Sequence, residues 1–378
     1  MERVAVVAGA RTPFVRAGKA FASLGPLALA QHAVRGLLER NSVDAGLVEA
    51  IAFGVVVPER GKPNLAREIV LEMGLPARIE AQTISSYCIT GLRTATVIAD
   101  AIARGRIECG IAGGVEWLSG ADPATFKEPT TGLTMGEHME ITRREWKVTR
   151  ERQDQVALAS HRNAVAAREK LAHEIVPVEG IANDTGPRPD TSLEQLAALK
   201  PSFAADGTLT AGNSSPVTDG ASAVLLMSEA RARAEGRKPL AFIDAIEYAA
   251  IHPDEGLLMA PAITVPRLLH RSGLRIADID LIEIHEAFAA QVIANAMAWE
   301  RGWGTWAEPG SEPPVGPIDW ARVNVNGSSV AIGHPWSATG GRIISTLAHE
   351  MQRRGARRGL ISICAAGGMA GAMLLARD

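Results

Sequence analysis

The chain has 378 residues, 47% of them hydrophobic, with 37 glycines and only 4% aromatic residues. This length suits two domains or a duplicated one, and the many small residues favour a layered α/β architecture over a β-sandwich. The net charge of −3, without a long basic run, argues against a nucleic-acid partner. Three cysteines without a CxxC pair argue against a zinc ribbon or a disulfide framework, and fit a reducing compartment such as the cytoplasm.

Short apolar runs, typical of strands buried on both faces, alternate with helical patterns along the chain. The predicted strands are Val4–Ala8, Ala50–Val57, Gln82–Ser86, Gly110–Glu116, Ala223–Met227, Phe242–Tyr248, Leu281–His285, Gly359–Cys364 and Ala372–Leu375. The predicted helices are Leu27–Arg40, Thr90–Arg104, Thr149–Lys170, Val265–Ser272, Ala287–Arg301 and Thr339–Arg354. The alternation predicts crossover units and mostly parallel sheets. The N-terminus carries no signal-peptide pattern.

Three regions interrupt or imitate this pattern. Residues 118–217 are more polar, with turn signals at Pro123, Pro129, Pro187 and Pro189, and are interpreted as an inserted loop domain. Gly302–Pro317 is irregular and rich in Gly, Pro and Trp. The uncharged stretch Gly359–Ala376 resembles a membrane span, but its glycines favour two buried strands around a turn.

A weak internal repeat also appears. Gly91-Leu92-Arg93 and Ala112-Gly113-Gly114 are similar in order and spacing to Gly341-Arg342 and Ala366-Gly367-Gly368. The repeat predicts two similar α/β halves. We therefore divide the chain into an N-terminal half (1–117, completed by about 218–236), a loop domain (118–217) and a C-terminal half (237–378).

Four residues with reactive side chains lie where strands are predicted to end, which is where open α/β sheets place their active sites. Cys88 opens a helix, whose dipole is expected to lower the thiol pKa. His334 lies in a glycine-flanked loop, Cys364 ends a strand before a glycine turn, and His285 stands at a strand-to-helix junction. Each residue alone is also consistent with core packing or a turn. Together they predict acyl transfer through a thiol and an imidazole.

The chain resembles the thiolase family along nearly its whole length. The segments that carry the resemblance, in family order, are Ala10–Phe14, Cys88 with Gly91, Ala112–Glu116, Thr210–Ser215 with Asp219-Gly220-Ala221, His285–Gln291, Gly333-His334-Pro335 and Cys364–Gly368. The histidine at 285, where more familiar thiolases carry Asn, resembles the branch of the trifunctional-enzyme β-subunit.

The resemblance implies a thiolase fold: two α/β halves with mixed sheets in five layers and an inserted loop domain. It implies a homodimer or a dimer of dimers that acts on coenzyme A thioesters without a permanent cofactor or metal. It also implies a function in fatty-acid β-oxidation, with a multienzyme partner as one option.

The resemblance also implies roles for individual residues. Cys88 is the acylated nucleophile, His334 its activating base, Cys364 the acid that protonates the departing enolate, and His285 part of the first oxyanion hole. The backbone N–H groups of Cys88 and Ala366 form the second oxyanion hole. Arg188 and Ser215 resemble coenzyme A contacts, and Met135 resembles a wall of the acyl pocket.

Departures from the family pattern leave the acyl chain open. They are Ser85, Tyr87, Thr134, Pro216 and Trp336. The loop domain is also shorter than in the trifunctional branch, which leaves that branch's membrane and α-subunit contacts open for this chain. The alternatives are a biosynthetic acetoacetyl-CoA thiolase and a non-catalytic acyl-CoA-binding or lipid-binding protein. A ketosynthase is disfavoured because it lacks the second catalytic cysteine.

Overall fold

The computed structural model describes residues 2–122, 126–303 and 313–378. Its strands are β1 (Val4–Arg11), β2 (Val15–Arg16), β3 (Ala50–Gly54), β4 (Glu80–Ile84), β5 (Cys109–Glu116), β6 (Thr218–Ser228), β7 (Ala241–Ala250), β8 (Leu281–Ile284), β9 (Arg358–Ala365) and β10 (Met369–Ala376). Its α-helices are α1 (Pro26–Arg40), α2 (Leu65–Glu72), α3 (Thr90–Ala103), α4 (Met135–Glu145), α5 (Arg150–Ala166), α6 (Arg168–Ala172), α7 (Leu193–Ala197), α8 (Glu229–Ala234), α9 (Pro261–Arg271), α10 (Ala289–Arg301), α11 (Ser329–Ile332) and α12 (Trp336–Arg354).

The strands form one mixed sheet whose order is symmetric about its centre. The order is β4-β3-β5-β6-β1-β7-β10-β9-β8, with β2 paired to β6. β6 and β10 run antiparallel to both neighbours, while β3–β4, β3–β5 and β8–β9 are parallel. Among the described residues, the second half has no strand equivalent to β4; at that place Val323 makes a parallel bridge to Ile282. Most strand pairs are antiparallel, so the prediction of mostly parallel sheets is wrong. The reason is that β6 and β10 are interior strands and that β1 pairs antiparallel with β7, although the other strands of each half share one direction.

Alternate residues of each strand face different helical layers. Val4 and Val6 pack into a central core with residues of α3 and α12, while Ala5 and Val7 face the outer helices α1 and α2. In the second half Ile361 faces the central core and Leu360 faces α9 and α10. Helices therefore cover both sheet faces of both halves, with α3 and α12 shared in the middle, which accounts for the apolar runs.

The interval between β5 and β6 holds more regular structure than the sequence predicts. It contains α4 to α7, and the long helix predicted over Thr149–Lys170 divides at Ala167 into α5 and α6. A capping box starts α4: the Thr134 hydroxyl and the Glu137 carboxylate satisfy each other's backbone N–H groups.

The stretch Gly359–Ala376 forms the antiparallel pair β9–β10, as its glycines predict. Among the described residues, no helix is long and apolar enough to cross a membrane. Pro123 and residues 304–312 of the irregular segment lie outside the described residues.

Candidate active site

Cys88 lies in a tight turn between β4 and α3. The turn is a single 3₁₀ segment, Tyr87–Ile89, and Tyr87 adopts a left-handed backbone with φ of 48°. The hydroxyl of Thr90 accepts a hydrogen bond from the Ser86 N–H at 2.7 Å and donates one to the Tyr87 carbonyl at 2.6 Å. A non-glycine residue with positive φ is uncommon, and these contacts hold it in place. The turn thereby presents the Cys88 thiol at the start of α3.

Helices α3 and α12 cross at glycine residues, and this close approach brings a second reactive group to the Cys88 thiol. A Cβ atom on Gly91 of α3 would lie 2.5 Å from the Ser337 carbonyl of α12, and one on Gly340 would lie 2.4 Å from the Leu92 amide. Only glycines permit this approach of two helix N-termini. As a result, the loop that precedes α12 meets the turn that precedes α3.

His334 contacts Cys88 directly at this junction. Its Nε2 lies 3.1 Å from the Cys88 Sγ, and its Nδ1 lies 2.7 Å from the Thr339 hydroxyl. This is the geometry of a nucleophile, a base and a group that orients the base. His334 follows the one-turn helix α11 and not a strand, so the prediction that all four reactive residues end strands is wrong for this residue.

Burial determines the protonation of this pair. It raises the pKa of Cys88 to about 12, although the backbone N–H groups of Ala366 and Cys88 oppose the rise. The expectation that the helix dipole lowers this pKa is therefore wrong for the resting protein, because desolvation of the thiolate is the larger effect. Burial, with the charge of Arg342, lowers the pKa of His334 to about 3. Thiol and imidazole are both neutral at pH 7, so the proton has to move as the thiol reacts.

His285 stacks against His334, with ring centroids 4.0 Å apart. Its Nδ1 lies 2.8 Å from the Ser329 hydroxyl, and its buried Nε2 has no hydrogen-bond partner among the described residues. Burial lowers its pKa well below the ordinary value, and electrostatic interactions with His334 and with the Arg342 guanidinium lower it further. One ring nitrogen of each histidine and the Cys88 Sγ lie within 4.8 Å of one another, a spacing that could also hold a metal ion.

Cys364 approaches the same site from the end of β9. Its side chain is buried, and burial followed by the charge of Cys88 raises its pKa well above the ordinary value. The next turn brings the Ala366 N–H to the Cys88 sulfur. The buried carboxylate of Glu128 accepts a hydrogen bond of 3.0 Å from the Gly367 N–H and so fixes that turn.

These groups open on a mainly apolar cavity of about 350 Å³. Six of the predicted site residues line it: Cys88, His334, Cys364, Ala366, Ser215 and Met135. His285 is not part of the lining, and its ring lies against that of His334. Phe126 and Trp336 also line it and meet edge to face with ring centroids 5.2 Å apart. A pocket of this size and polarity suits a small apolar group.

Arg188 does not line this cavity. It lines a neighbouring cleft of about 500 Å³ together with Arg16, and Pro216 borders both spaces. Two guanidinium groups in one cleft favour an anion such as a phosphate.

Thr339, Ser329 and Glu128 support the site but are not among the residues that the sequence predicts for it. Thr339 and Ser329 each lie five residues from His334 in sequence, which indicates that both are near the site. The sequence does not show that Thr339 contacts the His334 Nδ1 and Ser329 the His285 Nδ1. Glu128 is distant in sequence and offered no signal.

Comparison with known proteins agrees with this geometry. The family model for the thiolase N-terminal domain matches residues 4–138 and 121–230, and that for the thiolase C-terminal domain matches residues 237–377. The chain is 36% identical to the 3-ketoacyl-CoA thiolase of Colwellia psychrerythraea over 424 aligned positions, which cover 100% of this chain and 98% of the relative. That of Pectobacterium carotovorum is also 36% identical, over 99% of this chain and 96% of the relative.

The chain belongs to the thiolase family. Solved structures agree: the Bacillus anthracis acetyl-CoA acetyltransferase superposes with a TM-score of 0.89 at 31% identity, covering 100% of this chain and 99% of that one. Human mitochondrial 3-ketoacyl-CoA thiolase also gives a TM-score of 0.89, at 29% identity and the same coverage. This thiolase is therefore an acyltransferase, and the predicted fold class is confirmed.

Proposed function

We propose that this thiolase cleaves 3-oxoacyl-CoA with coenzyme A, through an acyl group carried on Cys88. The observation that carries the proposal is the 3.1 Å contact between the His334 Nε2 and the Cys88 Sγ. The bacterial relatives that align over nearly their whole length are named 3-ketoacyl-CoA thiolases, which supports the substrate class.

In the first half-reaction, His334 takes the Cys88 proton while the sulfur attacks the C3 carbonyl of the substrate. The C2–C3 bond breaks, and the electron pair leaves on C2 as the enolate of acetyl-CoA. Protonated His334 and His285 donate hydrogen bonds to the enolate oxygen. The Cys364 thiol gives its proton to C2, which a thiol of raised pKa can do because it holds that proton until the carbanion forms.

In the second half-reaction, the thiol of coenzyme A gives its proton to the Cys364 thiolate and attacks the acyl carbon. The backbone N–H groups of Cys88 and Ala366 stabilise the oxyanion of the tetrahedral intermediate; their orientation toward the Cys88 sulfur supports this assignment. Cys88 leaves and recovers its proton from His334. We assign Arg188 to the phosphates of coenzyme A, Ser215 to its inner arm and Met135 to the acyl wall.

The reverse direction, synthesis of acetoacetyl-CoA, is a second candidate. The crowding of the cavity by Phe126 and Trp336 favours it, because a short acyl group needs little space beside Cys88. Both directions use the same residues.

Thiolysis of 3-oxoacyl-CoA substrates from four to about sixteen carbons, a span from small to extended acyl groups, tests the proposal. Cys88→Ser is the control. Turnover that the control abolishes supports the proposal, and cleavage of long chains favours β-oxidation. Turnover of acetoacetyl-CoA alone favours the biosynthetic reading. Coenzyme A binding without turnover of any substrate would overturn the proposal in favour of a binding protein.

The architecture supports three further assignments. The symmetric strand order supports a division into halves 1–117 and 237–378 around the loop domain 118–217. The outer edge of β4 carries the uncharged residues Ala81–Ile84 and has no strand partner among the described residues, which supports pairing with a second copy.

Three free cysteines support a cytoplasmic location. Sedimentation analysis tests the dimer or tetramer, and co-purification tests a β-oxidation partner.

A further inference from the structure

A buried chain of hydrogen bonds lies behind the two active-site histidines. The Ser329 Oγ lies 2.8 Å from the His285 Nδ1, and the Arg342 Nη2 donates to that same oxygen at 3.2 Å. His285, Ser329 and Arg342 are all fully buried. Bulk solvent therefore does not reach these groups in the free protein, and their side chains hydrogen-bond to one another.

The direction of each hydrogen bond follows from the chemistry of the donors. A guanidinium group has donors only, so the Ser329 oxygen accepts from Arg342. Among the described contacts of the Ser329 hydroxyl, the His285 Nδ1 is the one atom that can accept its single proton. That direction leaves one group without a partner, the His285 Nε2–H. The opposite direction leaves two, the Ser329 proton and the Nε2 lone pair, and is disfavoured because unsatisfied buried polar groups are costly.

We infer that Arg342 and Ser329 fix His285 in the tautomer that carries its proton on Nε2, and so keep it a hydrogen-bond donor to the substrate oxygen. The inference rests on the proposed function for the identity of that oxygen. Arg342 and Ser329 are positioning residues, since both act through the imidazole. A neutral imidazole with its proton on Nδ1 would instead turn a lone pair toward the developing negative charge.

His334 needs the opposite tautomer. Its Nε2 has to accept the Cys88 proton, so its Nδ1–H donates to the Thr339 hydroxyl at 2.7 Å. Within the described part of the chain, no cation donates to that hydroxyl. The two stacked histidines thus take different roles. His285 is a hydrogen-bond donor because its Ser329 partner accepts from Arg342, whereas His334 is a base because its Thr339 partner is free to accept from the ring.

Ser328 offers a matched control. Its hydroxyl also accepts from the Arg342 Nη2, at 3.1 Å, but donates to the Ile284 carbonyl at 3.1 Å and not to a histidine. Ser328→Ala and Ser329→Ala each remove one buried hydroxyl from the same guanidinium group. Each variant leaves the other serine, and Glu283 at 3.4 Å, in contact with Arg342. Only Ser329→Ala changes the partner of the imidazole.

The test combines these variants with His285→Asn, whose amide donates hydrogen bonds without a tautomer. Loss of one oxyanion donor typically costs about 10²–10³-fold in kcat, so Ser329→Ala is expected to cost about tenfold or more, with a smaller change in KM. Ser328→Ala is expected to cost less than about threefold, and Ser329→Ala in the His285→Asn background less than about twofold. Equal losses in the two serine variants, or an undiminished loss in the His285→Asn background, would overturn the inference.

Neutron diffraction from crystals exchanged into D₂O gives a reading that does not depend on turnover. Deuterium on the His285 Nε2, with the Ser329 deuterium directed at Nδ1, supports the inference. Deuterium on the His285 Nδ1 overturns it. Failure of wild-type thiolysis with the expected deuterium positions would contradict the proposed function alone.

Discussion

Removal of the His334 imidazole should expose the full cost of ionising Cys88 without a base. A thiol with a pKa of about 12 is ionised in roughly one molecule in 10⁵ at pH 7, which corresponds to about 7 kcal/mol at 1.36 kcal/mol per pH unit. His334→Ala is therefore expected to slow acylation of Cys88 by about 10³–10⁵-fold at pH 7. The lower bound allows for water that enters the space of the lost ring and partly relieves the desolvation of the thiolate.

The pH dependence of acylation distinguishes this cause from a loss of folding. In His334→Ala, the rate should rise about tenfold per pH unit from pH 7 to 10, since the thiolate population rises in that proportion. In the wild type, it should stay nearly flat from pH 5 to 9, because an imidazole with a pKa of about 3 remains a neutral base over that range. Rapid-quench measurement of acyl-enzyme formation from acetyl-CoA gives both profiles. A loss below tenfold, or a flat profile in the variant, would mean that another group takes the proton.

Four further predictions follow from the same geometry. Thr339→Val should lower kcat by about 10–100-fold because the His334 ring loses its orienting partner, whereas Thr339→Ser should retain activity; steady-state kinetics compares the two. Cys364→Ala should slow cleavage of 3-oxoacyl-CoA by about 10²–10⁴-fold while acetyl-CoA still acylates the nucleophile, as intact mass will show. Trp336→Ala and Phe126→Ala should each raise kcat/KM for sixteen-carbon relative to four-carbon substrates by about tenfold, through the space opened beside the thiol. Stability should fall as pH drops from about 6.5 toward 3, because the unfolded chain binds the proton of His334 first; urea unfolding at pH 7.5 and pH 5 is expected to show a loss of about 2 kcal/mol from this histidine.

Each of these predictions has a specific contrary outcome. If Thr339→Val were as active as Thr339→Ser, Thr339 would not orient the His334 ring. Unchanged cleavage by Cys364→Ala would assign the acid elsewhere. An unchanged chain-length profile in both aromatic variants would place the acyl chain away from them. For acid stability, a His334→Asn variant that loses as much stability as the wild type would exclude this histidine as the cause.

The sequence predicts a layered α/β fold and singles out Cys88, His285, His334 and Cys364 as reactive residues. Apolar runs marked strands that are covered on both faces, as in β9 and β10, and glycines marked the turn between them. It could not show that α3 and α12 cross at Gly91 and Gly340, because that contact joins residues about 250 positions apart and depends on backbone approach. The pairing of Cys88 with His334 was therefore inferred from the resemblance and not from spacing.

Electrostatic details were the least accessible from sequence. A helix N-terminus predicts a lowered thiol pKa, but the sequence does not show that Cys88 is half-buried in the wall of a mainly apolar cavity, where desolvation raises that pKa. Likewise, Ser329 begins the short helix α11 and Arg342 lies within α12, and their contact beside His285 appears only in three dimensions.

The central claim is that Cys88 carries the acyl group, and intact-protein mass spectrometry after brief mixing with acetyl-CoA tests it most directly. We expect a mass increase of one acetyl group in the wild type, located by peptide mapping to Cys88, and no such increase in Cys88→Ser. An acetyl group on Cys364, or an unmodified protein that nevertheless turns over 3-oxoacyl-CoA, would contradict the account.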